Sequence, residues 1–365
     1  MQLFLAAFSG VPDPRAENTR HDLVEVLIIA FLAVLCGAQN CSEMAGFGRA
    51  KLKFFRRFLK LRHGIPSHDT FSTVFLMLDP TALDVAFGRL TATLVAALAK
   101  GGVIAIDGKS LKGAYDKGEK HKPRMMVSAY AAGLRLTLAT VAAKDGNEVD
   151  AALEVIGLID LKGRIVTGDA LHCNRRMVAA IVGKGGDYCI ALKGNQESLL
   201  SDARACLSKV DKSKPHPVAK TETCGRGRIE TRVGVVVPAK GLAGYHEFPG
   251  LKAFGRIEAT REIDGKVETD VRIFALSRKL CPEALLATAR AHWQIENALH
   301  WQLDVSFGED AARNRKDNGP TNIAVLRRRA LDVARVDTSK GSLTGKLKRA
   351  GWDDEFMLRL LSQMR

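Results

Sequence analysis

None of the seven cysteines (Cys36, Cys41, Cys173, Cys189, Cys206, Cys224, Cys281) stands in a CxxC spacing, and their number is odd. Such a set suits reduced thiols in a cytosol better than a disulfide framework or a thiolate zinc site. The chain also lacks a long polar tract, an internal repeat and a low-complexity segment. With 46% hydrophobic and 26% charged residues, its 365 residues read as folded, with disorder confined to the ends. Long apolar runs are equally scarce. The one membrane candidate, 23–38, carries Glu25, is shorter than the roughly 20 residues a span needs, and follows polar residues rather than a signal-peptide start. It reads as a buried helix, and no membrane partner is expected. Acid is in short supply as well: 40 Asp and Glu against 55 Lys and Arg give a net charge of +15. That balance favours a polyanionic partner, either nucleic acid or an anionic membrane surface.

The positive charge is concentrated. Between Arg49 and Arg62 there are seven basic residues and no acid, and between Ala311 and Ala350 eleven basic residues against three acids. Each run alone fits a solvated face as well as a phosphate-binding one. Two of them flanking an acidic-site domain point to DNA phosphates.

Length predicts a central domain with attached modules. Residues 1–100 read as a helical module suited to DNA binding, with helical periodicity over 22–36 and 70–78 and Ser67 or Asp69 placed to cap the second stretch. From Val103 the texture changes. VIAID, RMMVSAYAA, LRLTLATVAA, RIVTGDA and DYCIALK read as five strands, with helices over 147–159 and 174–182. Three strands and then helix, strand, helix, strand describe a mixed sheet with helices against it, an α/β architecture. A helix to about 208 follows, then a β-rich insertion at about 210–278. Helix returns from 283 to 303, and 306–365 form a basic helical segment.

Asp107 and Asp169 each end an apolar strand beside a glycine, where ligand sites of open α/β sheets collect. Turn capping explains an aspartate there equally well. DGKS is no phosphate loop, because Val103 stands where that motif requires glycine. Glu296 is the more telling carboxylate. On a regular helical wheel it falls within a stripe of Leu285, Leu286, Ala289, Trp293, Leu299 and Leu303, with His292 and His300 four residues to either side. A buried carboxylate needs a partner: a divalent cation shared with the two aspartates, a buried arginine, or a Trp or His hydrogen bond. Carboxylate oxygens suit Mg²⁺ or Mn²⁺, and two such ions serve in-line displacement at phosphorus.

The blocks AIDGKSLKGA, IVTGDALHC, GGDYCIALKGNQ, GRIETR and HWQIENALHWQLDVSFGEDAARNRKDNGPTNIAVLRRRAL resemble the insertion-sequence transposases that include the H-repeat-associated proteins. AVLCGAQ and GIPSHDTFSTVF extend the resemblance over almost the whole chain. It implies a DDE transposase with an RNase H-like catalytic core over 101–305 and a β-rich insertion before the last acidic helix. By motif Asp107, Asp169 and Glu296 match the catalytic, metal-binding carboxylates. The interval of 127 positions from Asp169 to Glu296 leaves room for the insertion.

The wider group places Tyr, Arg and Lys around its glutamate, where this chain has Ala289, His292 and Leu303, and Arg226 stands where this family is expected to have His. Arg290, His300, Arg313 and Arg315 are candidates to hold the DNA end in place of the missing basic pair. Lys109, Lys193, Asn195, Arg226, His292, Arg327, Arg328 and Arg329 are further candidates for contacts to DNA. The function implied is cut-and-paste transposition on terminal repeats and target DNA, with two Mg²⁺ or Mn²⁺ ions and a dimer or larger assembly, in the bacterial cytoplasm. A nuclease that cuts without joining, and a catalytically silent DNA-binding remnant, are the alternatives.

Overall fold

The computed structural model of the chain describes residues 2–96, 102–114, 124–210, 217–225 and 228–363. Nine strands form one sheet: β1 (Val103–Ser110), β2 (Met125–Ala131), β3 (Leu136–Ala143), β4 (Ile165–Gly168), β5 (Asp187–Leu192), β6 (Val218–Gly225), β7 (Arg228–Pro238), β8 (Ala253–Ile263) and β9 (Lys266–Leu276). Their order is β3-β2-β1-β4-β5-β9-β8-β7-β6, with β1, β4 and β5 mutually parallel and every other pair antiparallel. The first five strands are the mixed sheet expected of an RNase H-like core. The insertion does not form a separate sheet. Through β9, paired to β5 from Cys189↔Leu276 to Leu192↔Ile273, it continues the same sheet as two long hairpins.

Strand alternation sorts the core into two layers. Ile104 and Ile106 face helices α7 (Glu148–Leu158), α8 (Arg175–Gly183) and α9 (Glu197–Ser208), whereas Ala105 faces the helices contributed by the two ends of the chain. On this second side stand α1 (Gln2–Phe8), α2 (Leu23–Leu35), α3 (Cys41–Ala50), α4 (Leu52–Phe55), α5 (His68–Met77) and α6 (Pro80–Ala96). They share one continuous core with α12 (Trp301–Phe307), α13 (Gly319–Val336), α14 (Leu343–Trp352) and α15 (Asp354–Ser362). The N-terminal and C-terminal segments therefore form one helical layer rather than two detached modules. The short α10 (Leu242–Tyr245) and α11 (Pro282–His292) belong to the insertion side.

The apolar run at 23–38 resolves as α2, buried from Val26 to Leu35. Its one acid is accounted for: Glu25 accepts the backbone N–H groups of Lys60 and Leu61 at 2.7 and 3.0 Å. Among the described residues no single helix is long and apolar enough to cross a membrane. Of the two residues suited to cap α5, it is Ser67 that accepts from the Thr70 N–H.

At the β3 edge, carboxylates replace the missing strand. Asp332 of α13 accepts from Thr137 N at 3.0 Å, and Asp84 of α6 from Thr140 N at 2.9 Å, which satisfies ladder donors that would otherwise be buried without partners. Arg329 lies between the two acids, 2.7 Å from Asp84 and 3.4 Å from Asp332. Nearby, Arg328 is paired to Glu309 at 2.9 Å, and neither side chain has any exposure. Arg327 is equally buried and donates to Gln39 O. The expectation that Arg327, Arg328 and Arg329 reach DNA phosphates is thus corrected. The run shows its charges without their acids, two of which, Asp84 and Glu309, lie on other elements. The seven basic residues from Arg49 to Arg62 are different: all but the half-buried Lys51, which pairs with Asp354 at 2.7 Å, are exposed.

Candidate active site

The parallel register brings two aspartates to the same end of the sheet. Ala105 pairs with Thr167, so Asp107 and Asp169 each lie two residues beyond matched positions on neighbouring strands. Asp169 caps the short turn Ala170–His172, accepting from Leu171 N at 2.9 Å and contacting His172 Nδ1 at 2.9 Å. Those bonds draw its pKa down against the effect of burial. Asp107 stands the other way. Burial, followed by the charges of Glu148, Glu296 and Asp169, pushes its pKa up from 3.8 to about 7, despite an opposing hydrogen bond from Gly108.

Glu296 reaches the site by a route that the regular wheel misses. After α11 the helix widens into a π turn over Ile295–His300 before continuing as α12. One extra residue per turn rotates the register, so Ile295, Ala298 and Leu299 enter the core and Glu296 is exposed. The expectation of a carboxylate in the middle of an apolar face is corrected accordingly. Its pKa is nonetheless raised, chiefly by partial removal from water, with Asp169 adding repulsion and Arg272 opposing it. Asp107, Asp169 and Glu296, far apart in sequence, are therefore close enough to feel one another's charge.

Two histidines of this helix face the strands. His292 Nδ1 is 3.1 Å from Thr167 Oγ1 on β4, and His300 Nδ1 is 3.6 Å from Asp107 Oδ2 on β1. Burial pushes His292 down to about 4 and His300 to about 3, so both are neutral near pH 7. They support the glutamate and are not cationic phosphate contacts. Lys109, a phosphate candidate by sequence, is also buried, held by Asp304 at 2.8 Å and Asp310 at 3.1 Å. Asn195 donates to Ala170 O at 2.6 Å, tying the loop after β5 to the turn that carries Asp169. Lys193, Arg290 and Arg313 are exposed, Arg315 donates to Gly113 O, and Arg226 lies outside the described residues.

Sequence reasoning misses three residues of the site. Arg272 on β9 stacks over Trp293 at 4.5 Å and moderates Glu296. His172 is fully buried beside Asp169, and Glu148 opens α7 next to Gly108. The block IVTGDALHC contains His172, whereas Glu148 is hidden by its ordinary place after an Asn cap.

Comparison with known proteins identifies the family. The family model described as Transposase DDE domain matches residues 98–331, and the model described as DDE_Tnp_1-associated matches 5–91. The chain belongs to the DDE transposase family. It is 30% identical to the protein named Putative protein YbfL of Escherichia coli (strain K12), across 97% of this chain and 96% of that one. It is 29% identical to the H repeat-associated putative transposase YhhI of the same organism, with the same coverage of both chains. A Xanthobacter autotrophicus protein, described as an uncharacterized protein in the dhlA 3′ region, is 36% identical over 75% of this chain and 94% of its own.

Proposed function

We propose that this chain is a metal-dependent transposase that cleaves insertion-sequence DNA ends and joins them to target DNA. One observation carries the proposal: the Asp107 carboxyl on β1 is pushed up to about 7, first by burial and then by the charges of Glu148, Glu296 and Asp169 around it. A cluster of carboxylates with too few cations beside it is the donor set that hard divalent ions neutralise. Among the described residues no three His, Cys, Asp or Glu side chains are drawn to coordination distance of one point, so the fit rests on donor chemistry and mutual charge. Asp107, Asp169 and Glu296 would hold Mg²⁺ or Mn²⁺, two ions in all. Such ions activate a water or 3′-hydroxyl and stabilise the leaving oxygen at phosphorus.

The protein's own groups do the positioning. Thr167 engages the neutral His292 at the start of the π turn, and the neutral His300 packs beside Asp107 at its end, which keeps Glu296 near the strands. Arg272 tempers the charge of Glu296 without forming an ion pair that would bury it. DNA phosphates would meet the exposed Lys193 and Arg313 and the exposed run from Arg49 to Arg62. Two copies acting on paired ends complete the proposal.

The test is incubation of purified protein with its element's ends and Mg²⁺, alongside a substrate already nicked to expose the 3′-hydroxyl. Joined products from the nicked substrate support transposition. Cleavage without any joining assigns the site to a nuclease, and neither reaction would overturn both.

A further inference from the structure

Glu148 has no role in the reaction proposed above, yet among neighbouring charges it is the one that most raises the Asp107 pKa. Its carboxyl group occupies the space where any other residue at position 108 would place its side chain. A Cβ on Gly108 would come within 2.7 Å of Glu148 Cδ and 2.8 Å of Met125 Sδ. The glycine after Asp107 is therefore what lets the Glu148 carboxyl approach the strand that carries Asp107.

The surroundings of Glu148 leave its charge poorly answered. Only 14% of the side chain is exposed, and burial raises its pKa. Among the described residues the one basic group in reach is His172, whose Nε2 lies 3.5 Å from Oε1. That nitrogen is itself buried without a hydrogen-bond partner, while the other ring nitrogen is engaged by Asp169 at 2.9 Å. An imidazole thus stands between Asp169 and Glu148, with its unpartnered nitrogen turned towards the cluster. Position adds to this. Glu148 is the first residue of α7, where the helix N-terminus favours an anion and fixes its place.

We propose that Glu148 is a fourth carboxylate of the divalent-cation cluster, supplying a ligand oxygen beside Asp107. His172 is a positioning residue that holds Asp169 and Glu148 in their mutual orientation. The inference rests on the metal reading of the site proposed above.

The experiment measures Mn²⁺ binding to the full chain by calorimetry and by electron paramagnetic resonance of the free ion, for wild type and Glu148→Gln, with no DNA present. Melting in EDTA controls for folding. Glu148→Gln should melt no lower than wild type, because it removes a charge from a crowded cluster, and should bind Mn²⁺ at least about tenfold more weakly. If it melts lower, Glu148→Asp, which keeps the charge but withdraws it by one methylene, is measured for the same loss. Wild-type affinity in the folded variant overturns the role of Glu148 and leaves the metal reading standing. A wild-type chain that takes up no Mn²⁺ overturns the metal reading and this inference with it.

Discussion

Replacing Asp107 by Asn tests the electrostatics of the site without a substrate. The carboxyl pKa rises from 3.8 to about 7 in the folded chain, so the native state retains a proton that the unfolded state has lost between those values. Stability from this group is therefore complete below about pH 4 and declines as pH rises to about 7, after which the penalty is constant. At about 1.4 kcal/mol per pH unit the full penalty is about 4 kcal/mol, an upper bound because the neighbouring carboxylates relax together. Asn keeps the shape and cannot ionise.

In EDTA, Asp107→Asn should thus gain stability over wild type as pH rises from 5 to 8, by roughly 2 to 4 kcal/mol at the upper end. The buried histidines act with the opposite sign. His292 and His300, held down to about 4 and about 3, contribute stability that is present above the ordinary 6.5 and lost on acidification. The wild-type profile alone mixes both effects. The difference between variant and wild type, from urea unfolding at each pH, removes contributions that the substitution does not touch, such as that of His292, and leaves Asp107 with its neighbour His300. Saturating Mn²⁺ should reverse the ranking, since only the carboxylate repays the cation. A difference that stays flat from pH 5 to 8 would refute the crowding argument and remove the main support for a cation site.

Glu296→Gln should abolish DNA cleavage while leaving DNA affinity and melting temperature close to wild type, because the side chain is exposed and its removal leaves no buried charge. Glu309→Gln should instead lower stability by about 3 to 5 kcal/mol, measured by urea unfolding, by depriving the fully buried Arg328 of its partner. Neutralising Arg56, Arg57 and Arg62 together should make DNA affinity less steeply dependent on salt, the slope falling by about 0.9 for each phosphate no longer neutralised. Arg329→Ala should destabilise the chain by several kcal/mol, because Asp84 and Asp332 would remain buried at the β3 edge without their cation, and circular dichroism melting would register it.

The strands of the core are legible because each is a short apolar run ending in turn residues, and β1 to β5 fall within a few residues of the segments read from sequence. The strand β6, VAKTETCG, is not legible in this way, because it is a largely exposed hairpin partner whose composition carries no core signal. Asp107 and Asp169 can be singled out from strand ends alone, but their convergence depends on β1 and β4 being neighbours in parallel register. The arginines of α13 mark the limit of charge counting. LRRRAL reads as a basic surface, yet all three guanidinium groups are buried, and Asp84, which pairs with Arg329, is 245 residues away in sequence.

The π turn at Ile295–His300 sets the same limit for Glu296. A stripe drawn at a constant angle per residue places Glu296 inside the protein, where an ionised carboxylate would need a permanent partner. One widened turn instead gives the core to Ile295 and leaves Glu296 at the cleft, while Leu285, Leu286, Leu299 and Leu303 keep the apolar contacts of a buried helix. The helix can then be tied down before the break by the His292–Thr167 contact, with His300 packed beside Asp107 after it, without burying the charge between them. A π bulge costs helical regularity, and it is tolerated here because those anchors hold it. Its place in the chain follows from what each neighbour must touch, a constraint that residue periodicity does not contain.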